Sequence, residues 1–271
     1  MKAGWPVLAA YAAAFAASLV ASETLVVEVA RHRVGSDPAK LAEAVRQFAL
    51  SLDGLSSVAV TNAVVLIAVT LITARLLGEG IRPSLRLGPS RAAPAGLVGA
   101  VVGTVGLSLA CGAASDLLHA GPGTVIHAIS SALHGASPAR LAIALLALCA
   151  LPGLAEEGLF RGLMQTRLAQ RWGRAPGLVA ASMAFGLLHM DPVQGTIAFV
   201  VGLYLGWIAD SCGSIRPAIV AHAANNAVFV LLAAVSPSEG ASSAATSALV
   251  LAAGIAGCVG GAMLVRRRAA V

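Results

Sequence analysis

The stretch Ala155-Glu156-Glu157-Gly158-Leu159-Phe160-Arg161 constrains this chain more than any other. It follows a run from Leu141 to Leu154 that contains no charged residue. With its continuation to Leu168, that run is long enough to cross a bilayer as one helix. Placing a carboxylate or guanidinium inside such a helix costs about 2.5–3.5 kcal/mol per group on insertion scales. Ionisable groups that bear this cost face a protein interior and mark a site of function.

Composition supports a membrane reading. The chain is 58% hydrophobic and 11% charged, where soluble domains carry about 25% charged residues. The charges cluster between apolar runs of eighteen or more residues, which excludes an ordinary soluble domain. Turn-punctuated segments of alternating polarity are absent, which argues against an outer-membrane barrel. The expected fold is all-α: a polytopic membrane helix bundle of about eight transmembrane helices, residues 1–271 forming a single integral membrane domain.

The eight expected spans are Trp5–Val27, Leu55–Leu77, Ala95–Leu118, Leu141–Leu168, Ala175–Met190, Val193–Ala209, Ile215–Val235 and Ala244–Val265. Met1-Lys2 and the apolar run behind it permit a cleaved signal, but the run continues through Val29 and reads better as a signal-anchor helix. In the polar segment from Glu28 to Asp53, Leu41, Val45, Phe48 and Leu52 recur at helical spacing and predict a surface helix. Gly99 and Gly103, Gly202 and Gly206, and Gly257 and Gly261 have the spacing that lets helix backbones approach closely in lipid. These are packing signals without catalytic weight.

The net charge of +6 comes from basic residues between spans, so membrane topology rather than nucleic-acid binding explains it. With the N-terminus inside, the inner side carries Lys2, Arg75, Arg82, Arg86, Arg91, Arg167, Arg171, Arg174, Arg216, Arg266, Arg267 and Arg268. The outer side carries Arg31, Arg33, Lys40, Arg46 and Arg140. This bias places both termini in the cytoplasm. The cysteines Cys111, Cys149, Cys212 and Cys258 are isolated in or near apolar runs and read as small buried hydrophobes. His119, His127 and His134 are spaced to share the face of a solvated loop helix, and His32, between Arg31 and Arg33, reads as a surface residue.

The groups able to carry chemistry fall in three spans. Glu157 and Arg161, four apart, share a helix face and read first as a pair that neutralises itself. Glu156 points about 100° away and has no obvious partner in its own segment. A lone carboxylate in an apolar cavity suits a general base or acid, although an unseen structural partner is an equal alternative. His189 lies near the end of the fifth span, and His222 and Asn226 share one face of the seventh. Glu and His can activate a water, His and Asn can donate to a developing oxyanion, and two His with a Glu could hold a zinc. Counted at 1.5 Å per residue, Glu156 sits about 18 Å from Leu168, His189 about 21 Å from Ala175 and His222 about 10 Å from Ile215. Helix tilt or a break at Pro152-Gly153 must close that spread. No zincin, serine-elbow or paired-aspartate motif is present.

Read in order, Glu156-Glu157-x-x-x-Arg161, Phe185-x-x-x-His189 and His222-x-x-x-Asn226 resemble the signature of the CAAX prenyl endopeptidase type II family, whose bacterial branch is called CPBP or Abi. The resemblance covers about residues 141–235, which it marks as a CPBP-like catalytic core. It implies an intramembrane endopeptidase acting on a membrane-associated peptide or protein. In that scheme Glu156 and His189 activate water, His222 and Asn226 hold the oxyanion, and Glu157, Arg161 and Phe185 support the site. The family is described both as metal-dependent, with Glu156, His189 and His222 as ligands for an ion such as zinc, and as using a directly glutamate-activated water. The second is preferred, with no cofactor required. The expected location is the inner (plasma) membrane. A scaffold or bacteriocin-immunity factor that binds a partner remains the main alternative, and a proton-coupled transporter a weaker one, since no inverted repeat is visible.

Overall fold

A computed structural model describes residues 4–35, 37–78, 80–120, 124–235 and 243–267. Lys2, Arg268 and the side chain of His127 lie outside the described residues. Thirteen α-helices are present among them, and no strand: α1 Gly4–Val34, α2 Pro38–Ala49, α3 Leu52–Leu76, α4 Ile81–Ser84, α5 Pro94–Leu117, α6 Thr124–Leu133, α7 Pro138–Leu145, α8 Leu151–Glu157, α9 Gln165–Trp172, α10 Arg174–Leu188, α11 Pro192–Cys212, α12 Arg216–Val235 and α13 Ala244–Arg266. Two π-helical segments, Leu146–Ala150 and Gly158–Met164, join α7, α8 and α9 into one unbroken helical rod.

Seven of these stretches are long and apolar enough to cross a membrane, the longest being the rod Pro138–Trp172. The chain is a multi-pass helical membrane protein. The fifth expected span corrects to something shorter. Arg174–Leu188 has 15 residues, about 22 Å of helix against a hydrocarbon core of about 30 Å. It folds back on α9 across Gly173, whose φ of 93° suits glycine, and packs along α11.

Helix starts follow capping chemistry. Asp37, Ser137 and Asp191 cap α2, α7 and α11 with side-chain oxygens, each followed by a proline that has no N–H to satisfy. The surface helix is α2, where Phe48 is buried and the Arg33 guanidinium lies 4.9 Å over its ring. His119 follows α5 and His134 follows α6, so these two do not share a helix. The four cysteines are free, and Cys149 and Cys212 are buried.

Lipid supplies no hydrophobic drive for helix pairing, so close backbone contact must do the work. On α5 and α13 a Cβ added to Gly99 would stand 2.6 Å from the Gly261 carbonyl oxygen, and one on Gly106 2.7 Å from that of Gly254. These glycines therefore form a zipper between the two helices. Close contact of the same kind also sets the site. A Cβ on Gly153 would come within 3.1 Å of Ala223 on α12.

Pro152-Gly153 does not break the rod. Pro152 falls in the first turn of α8, directly after the π segment Leu146–Ala150, and the helix continues through it. Gly153 instead brings α12 up against α8. Gly153→Leu is expected to push these helices apart and to destabilise the fold by about 1–3 kcal/mol. Thermal melting of the purified variant in nanodiscs checks this, and Gly153→Ala should fall between the two.

Candidate active site

Depth closes in the structure because the rod overshoots its neighbour. Glu157 lies about 22 Å from the Trp172 end of the rod, and His222 about 9 Å from the start of α12. Yet the His222 Nδ1 stands 2.9 Å from the Glu157 Oε1. The rod must extend past the start of α12, and α9 is that extension.

Glu157 and Arg161 form the buried heart of the site, with side chains 0% and 1% exposed. The Arg161 Nη1 donates to the Glu157 Oε1 at 2.8 Å, and its Nη2 donates to the Gly202 carbonyl of α11 at 3.2 Å. Gly202 leaves room for this contact, since an added Cβ would stand 3.0 Å from the guanidinium and press on it. One turn on, the Gln165 Nε2 donates to the Gly206 carbonyl at 3.1 Å. Arg161 and Gln165 thus make two successive rungs to α11. Taking two charges out of water costs several kcal/mol per ion, and this pair offsets it only through such additional bonds.

His222 joins the two carboxylates. Because the Glu157 Oε1 already accepts from Arg161, it accepts from the His222 Nδ1–H as well. The opposite nitrogen, Nε2, faces the Glu156 Oε2 at 3.7 Å, a gap wide enough for a shared intervening group. Glu156 is 15% exposed and His222 6%. The partner that Glu156 lacks in its own segment comes from α12.

His189 stands one ring further off. Its Nδ1 donates to the Phe185 carbonyl at 3.0 Å, which leaves Nε2 as the free acceptor. The Phe185 ring lies between the two histidines, its centroid 5.1 Å from His189 and 5.6 Å from His222, both near perpendicular. The Arg161 guanidinium sits 4.3 Å over the same ring, a cation–π contact in a desolvated setting. Among the described residues His189 makes no ion pair with Glu156.

Asn226 donates through Nδ2 to the Leu148 carbonyl of the first π segment at 3.4 Å. An amide carries two N–H groups, so one remains to serve a ligand. Its Oδ1 accepts from Asn225 Nδ2, also at 3.4 Å. Among the described residues no group of three His, Cys, Asp or Glu side chains is placed to hold a metal ion.

Two contributors are not evident from the sequence. Gln165 opens a mostly polar helix, and only its spacing of four from Arg161 singles it out. Asn225 is overshadowed by its neighbour Asn226, which has the stronger spacing to His222.

A buried carboxylate pair, two imidazoles, a guanidinium and two amides within a multi-pass bundle define the class: a membrane protein with a polar, ionisable centre between its helices. The family follows from the sequence of that centre. Residues 138–228 match the model described as Rce1-like, Type II CAAX prenyl endopeptidase. The match runs from the start of the rod into α12, and so contains every residue of the centre. Comparisons with curated proteins and with solved structures return no match.

Proposed function

We propose that this protein is an intramembrane endopeptidase that hydrolyses a membrane-associated peptide or protein with a glutamate-activated water. The observation that carries the reading is His222 lying between Glu157 and Glu156 inside the bundle, within the segment that matches a CAAX endopeptidase model. Glu156, the more exposed carboxylate, takes a proton from the attacking water as oxygen bonds to the scissile carbonyl carbon. His189, with Nε2 free, assists from across Phe185. The carbonyl oxygen gains the charge and is met by the spare N–H of Asn226 and by His222. Collapse breaks the C–N bond, and the proton held by Glu156 passes to the departing amine.

In this reading residues 141–235 are the catalytic core of a single integral membrane domain. The arginine bias supports an inner (plasma) membrane with both termini cytoplasmic, provided that the α10–α11 hairpin returns to the side it leaves. A scaffold reading draws support from the Arg161 and Gln165 rungs, which are interhelical bonds of the kind that hold bundles together. Catalysis separates the two. In nanodiscs, the purified protein is expected to cleave a quenched-fluorescent peptide carrying a farnesylated CAAX tail, or a non-prenylated single-span peptide. Intact peptides after prolonged incubation would favour the scaffold.

A further inference from the structure

Tyr11 on α1 reaches the centre from outside the matched segment 138–228. Val7, Tyr11 and Ala14 are spaced four and three apart, so they share one face of α1. Val7 and Ala14 are fully buried in the cluster that holds Phe160 and Phe185, and Tyr11 packs against it. The Tyr11 hydroxyl donates to the Ala184 carbonyl of α10 at 3.1 Å. Its ring meets Phe160 edge-on with centroids 6.1 Å apart, and Phe160 meets Phe185 edge-on at 5.3 Å.

Both contacts lead to one residue. Ala184 precedes Phe185, whose carbonyl receives the His189 Nδ1–H and whose ring stands between His189 and His222. The way α10 ends makes such support necessary. The His189 N–H donates to the Gly186 carbonyl and the Met190 N–H to that of Leu187, so the helix tightens and stops there, and Met190 takes a φ of 52°. α11 steadies this last turn at Gly186, where an added Cβ would stand 2.6 Å from the Gly195 carbonyl oxygen. α1 steadies it at Ala184. The ring series Tyr11, Phe160, Phe185 then limits how far the Phe185 ring can tilt between the two histidines.

We infer that Tyr11 is a positioning residue for His189. Through Ala184 and Phe185 it holds the imidazole with its Nδ1–H on the Phe185 carbonyl, which keeps Nε2 free to assist the attacking water. The effect on rate rests on the peptidase reading; the effect on the orientation of His189 does not. The centre is then completed by α1, a helix that lies outside the matched segment.

The test compares two variants of the full chain in nanodiscs: Tyr11→Phe, which deletes the hydroxyl and keeps the ring, and Tyr11→Leu, which deletes both. ¹⁵N-histidine spectra read the imidazoles directly, with His189 identified by the signals that His189→Gln lacks. The parent is expected to show His189 protonated at Nδ1 alone, and Tyr11→Leu a mixture of the two tautomers, with Tyr11→Phe between them. Per folded molecule, kcat is expected to fall about 5-fold in Tyr11→Phe and about 30-fold in Tyr11→Leu, with KM within about 2-fold of the parent. His189 signals identical to the parent's in both variants would overturn the inference and leave Tyr11 as packing alone, whatever the melting temperatures do. If the parent cleaves no peptide, the peptidase reading falls and the imidazole spectra still decide the inference. If Tyr11→Leu does not fold, unchanged His189 signals in Tyr11→Phe overturn it equally.

Discussion

Glu156→Gln is expected to leave a folded protein that hydrolyses its peptide at least about 10²–10⁴-fold more slowly. The substitution removes a proton acceptor and keeps the size and polarity of the side chain. It disturbs little else, because the carboxylate is 15% exposed and its contact with His222 is at 3.7 Å. Purified yield and melting temperature should match the parent, while the rate collapses. A variant that melts normally and cleaves normally would remove Glu156 from the chemistry. Rate and stability lost together would return it to a structural role.

Arg161→Leu is expected to have the opposite signature: a large loss of stability. Among the described residues it leaves the fully buried Glu157 with His222 as its one remaining partner, and breaking a buried pair on one side costs about 3–5 kcal/mol. It also deletes the bond to the Gly202 carbonyl and the contact over Phe185. The informative comparison is the double substitution Glu157→Gln with Arg161→Met, in which no charge is stranded. That protein should recover most of the lost melting temperature yet turn over slowly, since His222 no longer faces a carboxylate at Nδ1. Equal melting of Arg161→Leu and the parent in nanodiscs would show that the pair carries no such weight.

Much of the fold is legible in the residues alone. Apolar runs define the bundle, because length and hydropathy are properties of each helix by itself. Spacing defines the Glu157–Arg161 pair for the same reason: residues four apart on one helix must be neighbours. The glycine pairs are readable as packing signals. Their consequence for the site is not, since Gly202 matters through a carbonyl and a vacancy that Arg161 fills from another helix.

What stays hidden depends on how helices meet. Pro152-Gly153 has the composition of a break, but the rod runs on through two π segments, and Gly153 acts by admitting Ala223. The depth mismatch between Glu156 and His222 comes from treating Leu168 as the membrane edge, whereas the rod continues to Trp172 beyond the start of α12. Ala175 to Met190 has the apolar character of a crossing span, yet α10 ends at Leu188, in a hairpin with α11. Whether Glu156 has a partner cannot be decided within its own segment, because that partner sits on α12.

The most direct measurement is a single turnover in ¹⁸O-enriched water, using whichever membrane peptide the protein cleaves. Attack by a Glu156-activated water predicts one ¹⁸O atom in the newly formed carboxylate of the first product, and no such product from Glu156→Gln. An unlabelled carboxylate in the first turnover would mean that a protein oxygen attacks first. Cleavage that survives Glu156→Gln would contradict the account outright.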